Sequence, residues 1–335
     1  MLAVPAAVSL ALPTAISKAP CYRRVTVGAV RELTDSASLA ADPAALRQRL
    51  AQDGFLFFRH LLRPADVTVA ADSVRAELAL GGWTDSGGRP QWPQRAVSAR
   101  AAPADPSFRA ALASRGLNRL AYVEPLRGVI RRVLGPGAFC YPVKVLRLAY
   151  PEPPSAPTIG RYVHQDFAVS GVQDMLTTWL PLMDIPAQVG GLAVQPGSHL
   201  DRPRRPRLLR PDEPGWATTD YRPGDVLLFH CLTSHAALPN HSAKLRISAD
   251  FRWQAADQPA PAELILGPGG LGARRSRPTE LYSRLLSAES WWEPVPDGLM
   301  LEPRQRLLAG PPAPSRLFAV HPGWRRWRAP AAPVH

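Results

Sequence analysis

The stretch GDVLLFHCLTSHAALPNHSAKLRISADFRW, residues 224–253, is where the fold of this chain is most legible. In its second half Leu245, Ile247, Ala249, Phe251 and Trp253 alternate with Arg246, Ser248, Asp250 and Arg252. Successive strand side chains point to opposite faces, so this period of two predicts a strand with one apolar and one polar face. The run VLLF before it is apolar throughout and has the length of a buried strand. His230 and His235 lie between the two. A polar strand face inside a β core needs a charged ligand to justify its burial. Arg246 offers a bidentate fork to a carboxylate, and Ser248 adds a hydroxyl on the same face. At this point a solvent-facing sheet surface remains the alternative.

Working outward, short runs rich in β-branched and aromatic residues alternate with Pro/Gly turns from residue 139 onward. Strands are predicted over 141–150, 161–167, 176–182, 191–195, 225–229 and 244–253, a spacing that indicates a sandwich or barrel. Upstream, a helix is predicted over 43–53, stopped by Gly54, and FLFFRHLL (55–62) reads as a buried strand. Pro64 opens a helix that ends near Leu80, before Gly81-Gly82. Residues 83–106 form a loop long enough to cover a site, and a helix over 107–134 is expected to break around Gly116. Helices first and strands after predict helices packed on one face of an antiparallel β core. Residues 1–42 read as an arm, 43–255 as the main domain and 256–335 as an extension packed on it. That extension carries a predicted helix near 279–287 and the pair Trp291-Trp292.

His164-Gln165-Asp166 falls on the predicted strand 161–167. Side chains two apart on a strand share a face, so imidazole and carboxylate can reach one metal ion together. A hydrogen-bonded surface pair would look the same. His235, 69 residues after Asp166, supplies a third ligand. Two histidines and one carboxylate form a facial triad that suits iron(II) and leaves three positions open. His230 competes for that role, and the strand 245–253 following His235 favours the latter.

The formal charge of +13 first points to nucleic acid. Of 40 basic residues, however, only Lys18, Lys144 and Lys244 are lysine, a chain-wide arginine bias. The cluster Arg202, Arg204, Arg205, Arg207 and Arg210 contains no aromatic residue on which a base could stack and reads as a solvated loop, so a nucleic-acid partner is not expected. Cys21, Cys140 and Cys231 form no CxxC pair, which fits a reducing, cytoplasmic setting. The apolar first 17 residues lack a basic start, contain two prolines and are too short to span a bilayer. No membrane association is expected.

In order along the chain, several landmarks resemble the phytanoyl-CoA dioxygenase family of 2-oxoglutarate oxygenases. They are DGFLFFRHLL (53–62), HQD (164–166), TTWLPLMDIP (177–186), GGLAVQPGSH (190–199) and GDVLLFHCLTSHAALPNHS (224–242), with Arg246 eleven residues after His235. The resemblance covers roughly residues 43–255. It implies a double-stranded β-helix, a cupin-like jelly roll with flanking helices. It implies Fe(2+) on His164, Asp166 and His235, and 2-oxoglutarate on Arg246. Ser248, Thr177 (of the pair Thr177-Thr178, one of which faces inward), Trp179 at the aromatic position and Leu146 as an apolar wall are further expected co-substrate contacts. The implied reaction consumes dioxygen and 2-oxoglutarate, releases succinate and CO2, and hydroxylates a small-molecule metabolite. Ala237 departs from relatives that carry a small hydroxyl residue there. Lys144 reads as a surface residue and His199 as part of a turn. Two other functions stay open: a cupin-like metal-binding protein or zinc hydrolase without oxidation, and an oxygenase acting on nucleic acid.

Overall fold

The computed structural model describes residues 30–85, 87–91, 105–142, 144–152, 162–200, 207–208, 214–266, 295–309 and 317. Its strands are β1 (Arg31–Glu32), β2 (Phe55–Phe58), β3 (Ala138–Cys140), β4 (Val145–Ala149), β5 (Tyr162–Val163), β6 (Leu176–Pro181), β7 (Leu192–Val194), β8 (Arg207–Leu208), β9 (Ala217–Thr218), β10 (Val226–His230), β11 (His235–Ala237), β12 (Arg246–Ala255), β13 (Ala260–Pro261) and β14 (Leu301–Glu302). Its helices are α1 (Pro43–Asp53), α2 (Pro64–Leu80), α3 (Pro106–Ala113), α4 (Arg115–Arg119), α5 (Glu124–Leu134), α6 (Phe167–Ser170), α7 (Ala262–Leu266) and α8 (Arg304–Ala309).

Local chemistry sets the early boundaries. The Asp42 carboxylate accepts from the amides of Ala44 and Ala45, and Pro43 sits in the first turn, where its missing N–H costs nothing. Gly54 ends α1 at φ 83°, a conformation glycine adopts without strain. α5 buries Leu126, Val129, Ile130 and Val133, one stripe at helical spacing.

The larger sheet has the order β2-β10-β6-β12-β3, with β4 also on β12, and the smaller has the order β1-β9-β7-β11. A bridge between His164 and His235 carries the smaller sheet on toward β5, which pairs with β8. Thus β4, β6, β10 and β12 lie in one sheet and β7, β9 and β11 in the other, which β5 continues through the His164–His235 bridge. This alternation is a double-stranded β-helix, and its two sheets do not close into one barrel.

The two faces of the larger sheet differ. Leu56, Phe58, Val226, Leu228, Ala249, Phe251 and Trp253 pack with the helices in one core. Phe55, Phe57, Leu227, Phe229 and Trp179 pack between the sheets with Leu192, Val194 and Tyr221. Strands covered on both sides read as unbroken apolar runs, which accounts for FLFF and VLLF. β12 is the exception. Its inward half is Arg246, Ser248, Asp250 and Arg252, each at most 6% exposed. The polar face is therefore internal, not a solvent-facing sheet surface.

Several boundaries differ from expectation. Of the strand expected over 141–150 only Val145–Ala149 forms, as β4; β3 lies before that range, and Pro142, which has no N–H for a ladder, stands between the two. The helix expected over 107–134 breaks at Ser114, two residues before Gly116, and again at Val123, both extended. Gly116 itself lets α4 approach α2: a Cβ there would lie 2.6 Å from Ser73 Oγ and 2.9 Å from the Val69 carbonyl. Within the expected irregular arm, β1 pairs in parallel with β9 and Leu33 is buried. From the C-terminal region, Leu264, Ile265, Val295, Leu299, Leu301 and Leu307 pack against the helix-side core. The helix expected near 279–287, the Trp291-Trp292 pair and most of the loop 83–106 lie outside the described residues. Among the described residues no helix is long and apolar enough to cross a membrane.

Candidate metal centre

His164 and His235 face each other across the smaller sheet and exchange both backbone hydrogen bonds, at 3.1 and 3.0 Å. Their ring centroids are 4.1 Å apart. Asp166 joins them by a different route from the one expected. The chain leaves the strand after His164, and Asp166, at φ −65° and ψ −18°, caps the single turn of α6. This turn, not strand periodicity, brings the carboxylate round to the imidazoles. Gln165 points away and donates to the Leu232 carbonyl at 2.6 Å, pinning the loop before His235.

One carboxylate oxygen is committed within the protein. Asp166 Oδ2 accepts from Thr177 Oγ1 at 2.7 Å and lies 3.5 Å from Arg252 Nε. The other oxygen, Oδ1, is 3.8 Å from His164 Nε2 and 3.8 Å from His235 Nε2. Burial alone would raise the carboxyl pKa. Arg252, then His235 and the Thr177 hydrogen bond, outweigh it and hold Asp166 well below the usual carboxylate range. His235 Nδ1 donates to the Thr233 carbonyl at 3.0 Å, which leaves the Nε2 lone pair for a ligand bond. Burial and the neighbouring His164 push this imidazole down to about 4, so it is neutral near pH 7. The potential ligand atoms of the three residues all lie within 4.8 Å of one another. Two imidazole nitrogens and one anionic oxygen, with His235 oriented by Thr233 and Asp166 by Thr177 and Arg252, can hold one divalent cation. His230, the competing candidate, is fully buried elsewhere and pairs with Asp174 at 3.5 Å.

A cavity of about 120 Å³ adjoins the triad, lined by His164, Trp179, Phe229, His235, Ala237, Arg147, Arg246 and Asp250 among others. Arg246 donates through Nη1 to the Gly190 carbonyl at 2.5 Å, while its buried Nε has no hydrogen-bond partner. Burial lowers this guanidinium to about 10. No carboxylate of the described residues pairs with it directly. The fully buried Ser248 hydroxyl is likewise without a partner. A buried cation and a buried hydroxyl left this way are costly unless an anion completes them.

The remaining expected contacts divide. Trp179 lines the cavity as expected. Thr177 faces the site, but its hydroxyl serves Asp166. Leu146 does not line the cavity. It pairs with Ala249 on the helix side and packs in that core, and its neighbour Arg147 faces inward instead. Lys144 is buried, not on the surface, and donates to the Tyr141 carbonyl at 2.5 Å. His199 is buried and bonds the Ala51 carbonyl at 3.0 Å. Arg147, Asp250 and Arg252 were not singled out from sequence, although the alternation along 245–253 already puts Asp250 and Arg252 on the Arg246 face.

Residues 50–248 match the family model for phytanoyl-CoA dioxygenase (PhyH), more than half of the chain, and the chain belongs to that family. Two relatives are 1-deoxypentalenic acid 11-beta-hydroxylases. The one from Streptomyces arenae is 33% identical over 151 residues, covering 38% of this chain and 53% of that protein. The one from Streptomyces exfoliatus is 32% identical with the same coverage. The chain thus spans about half the length of the curated relatives it matches. Similar solved structures include the non-heme alpha ketoglutarate dependent epimerase SnoN from nogalamycin biosynthesis, at 23% identity and TM-score 0.45 over 64% of this chain and 84% of that one. Another is EctD from S. alaskensis with 2-oxoglutarate and 5-hydroxyectoine, at 20% identity and TM-score 0.48 over 82% and 92%.

Proposed function

We propose that this chain is an iron(II)- and 2-oxoglutarate-dependent dioxygenase that hydroxylates a small-molecule metabolite. One juxtaposition carries the reading: the two histidines of the His164–Asp166–His235 cluster line one cavity with the buried, incompletely partnered guanidinium of Arg246. A zinc hydrolase could use the triad alone, but it has no need of a second, cationic anchor. In this reading His164, Asp166 and His235 hold the ion. Thr177 and Arg252 occupy Asp166 Oδ2, so only Oδ1 is offered and further coordination positions stay open. Arg246 and Ser248 take the distal carboxylate of 2-oxoglutarate, and Trp179 and Phe229 keep water off it. Iron(II) with bound 2-oxoglutarate supplies the oxidising chemistry: dioxygen is consumed, succinate and CO2 leave, and one oxygen atom enters a substrate C–H bond.

By their names the two curated relatives act on 1-deoxypentalenic acid, which favours a small organic metabolite over a macromolecule. Residues 43–255 form the oxygenase domain in this account, with an arm over 1–42 and a packed extension over 256–335. Two buried cysteines outside any disulfide, Cys140 and Cys231, and a need for ferrous iron support action in the cytoplasm. The test is succinate release with iron(II), 2-oxoglutarate and a broad metabolite panel, with products read by mass spectrometry. Succinate formation and a product heavier by one oxygen are expected. Turnover that is supported by zinc and needs no dioxygen would overturn the proposal.

A further inference from the structure

Three buried polar groups stand in sequence along the inward face of β12 without a hydrogen-bond partner among the described residues: Arg246 Nε, Ser248 Oγ and Asp250 Oδ1. The first two can donate to a carboxylate. The third can only accept. 2-Oxoglutarate is a dianion with no hydrogen to donate, so the co-substrate that would complete Arg246 and Ser248 would leave Asp250 unmet and repel it.

Asp250 is not a loose surface acid. Its side chain is 7% exposed, and Oδ2 is fixed by Arg147 Nε at 2.8 Å. Arg147 comes from β4, opposite Ser248 in register, and is 45% exposed, so the pair runs from the interior toward solvent. In register across β12, Asp250 stands opposite Trp179, and both line the cavity that holds His164 and His235. Two residues further on, about 7 Å along the strand, Arg252 reaches Asp166. Asp250 therefore lies between the arginine that would anchor 2-oxoglutarate and the one that braces the metal-facing carboxylate.

We infer that Asp250, braced by Arg147, is a substrate-binding acceptor, and that the substrate is a small molecule presenting an uncharged hydroxyl to Oδ1. This rests on the oxygenase reading above. An ammonium group is disfavoured because three guanidinium groups, Arg147, Arg246 and Arg252, already surround two carboxylates, Asp166 and Asp250. Iron(II) and the 2-oxoglutarate dianion add no net charge, so the guanidinium excess among these five groups persists in the loaded site, offset at its edge by Glu152 near Arg246. A neutral donor meets the unmet acceptor without adding to that charge. Because Asp250 accepts from a fixed direction, it would also select which carbon of the substrate faces the metal.

Calorimetric titration of the wild-type chain, loaded with iron(II) and 2-oxoglutarate without oxygen, tests this with matched probes: borneol, 2-decalol and cyclopentanol, each beside its methyl ether. The ethers keep the carbon skeleton and lose the donor. At least one alcohol is expected to bind tenfold or more tightly than its ether. Asp250→Ala should bring that pair within twofold, and Asp250→Asn, whose amide oxygen still accepts, should keep part of the preference. Iron content and 2-oxoglutarate affinity are read on the same samples. If no alcohol outbinds its ether, or the preference survives Asp250→Ala, water alone meets Oδ1 and the inference fails while the oxygenase reading stands. If either variant loses iron together with the preference, Asp250 is structural and the assignment is overturned. Where Asp250→Ala does not fold, Asp250→Asn decides: a preference reduced from that of the wild type supports the inference, and an unchanged preference overturns it. Failure of the wild-type chain to take up iron or 2-oxoglutarate overturns both readings.

Discussion

Replacing Arg246 by methionine removes the guanidinium and keeps most of the buried stem. Arg246 is 5% exposed, and burial has already lowered its pKa to about 10, so the surroundings solvate the cation poorly. An anion arriving there forms a desolvated, charge-assisted pair. Truncating one partner of such a pair costs about 2–5 kcal/mol. At about 1.4 kcal/mol per factor of ten, that is a rise in KM for 2-oxoglutarate of about 30-fold to 3000-fold. One Nη1 bond is already spent on Gly190, which places the expectation near the middle, about 100- to 1000-fold. Succinate release at varied 2-oxoglutarate gives the KM. Thermal unfolding supplies a readout independent of turnover. A ligand at 100 times its Kd stabilises the folded state by about 2.7 kcal/mol, so iron-loaded wild-type protein should gain Tm with 2-oxoglutarate and Arg246→Met should not at the same concentration. A KM within threefold of wild type, with the thermal gain preserved, refutes the clamp.

Other substitutions separate the roles assigned to neighbouring residues. Thr177→Val deletes the bond to Asp166 Oδ2 and should weaken iron binding by about 10- to 100-fold, as loss of an outer partner does, with little change in KM for 2-oxoglutarate; unchanged iron affinity would show that Thr177 does not orient the ligand. Leu146→Ala should destabilise the fold by about 2–5 kcal/mol in denaturant titration and leave that KM alone, whereas a KM rise above tenfold would put Leu146 back on the cavity wall. His230→Gln should keep stoichiometric iron, and an iron-free variant would mean the third ligand has been misassigned. His235 also predicts a pH dependence. Its folded pKa near 4 lies below the ~6.5 of an unfolded histidine. The unfolded chain therefore takes the proton first, and the metal-free protein loses stability as pH falls from about 6.5 toward 4. His235→Gln should flatten that limb of the Tm–pH curve, and an identical slope in both proteins would contradict the buried, neutral imidazole.

Much of this was readable in the residues, and the reasons are particular. Asp42, Pro43 and Gly54 mark α1 because caps and breakers act locally. The alternation along 245–253 exposes the inward polar face because a ten-residue strand repeats its period several times. Strands of two or three residues, such as β1, β9 and β11, repeat it too little to be seen. In HQD the period of two does not carry the geometry, since a helical turn and not a strand brings Asp166 to the histidines. Leu146 was misplaced although its signal was present. In VLRLA the apolar residues 146 and 148 share one face and Arg147 takes the other, and that pattern puts Arg147 in the cavity. The Gly116 case shows a different limit: sequence marks the glycine, but only the approach of α4 to α2 tells packing from breaking.

His164, Asp166 and His235 are proposed to hold one iron(II) ion that works with 2-oxoglutarate. Anaerobic titration of the metal-free chain with iron(II), in saturating 2-oxoglutarate, tests it most directly. One ion bound per chain is expected, with near-complete loss of binding in Asp166→Ala and His235→Ala and retention in His230→Gln. Full binding in Asp166→Ala or His235→Ala would contradict it.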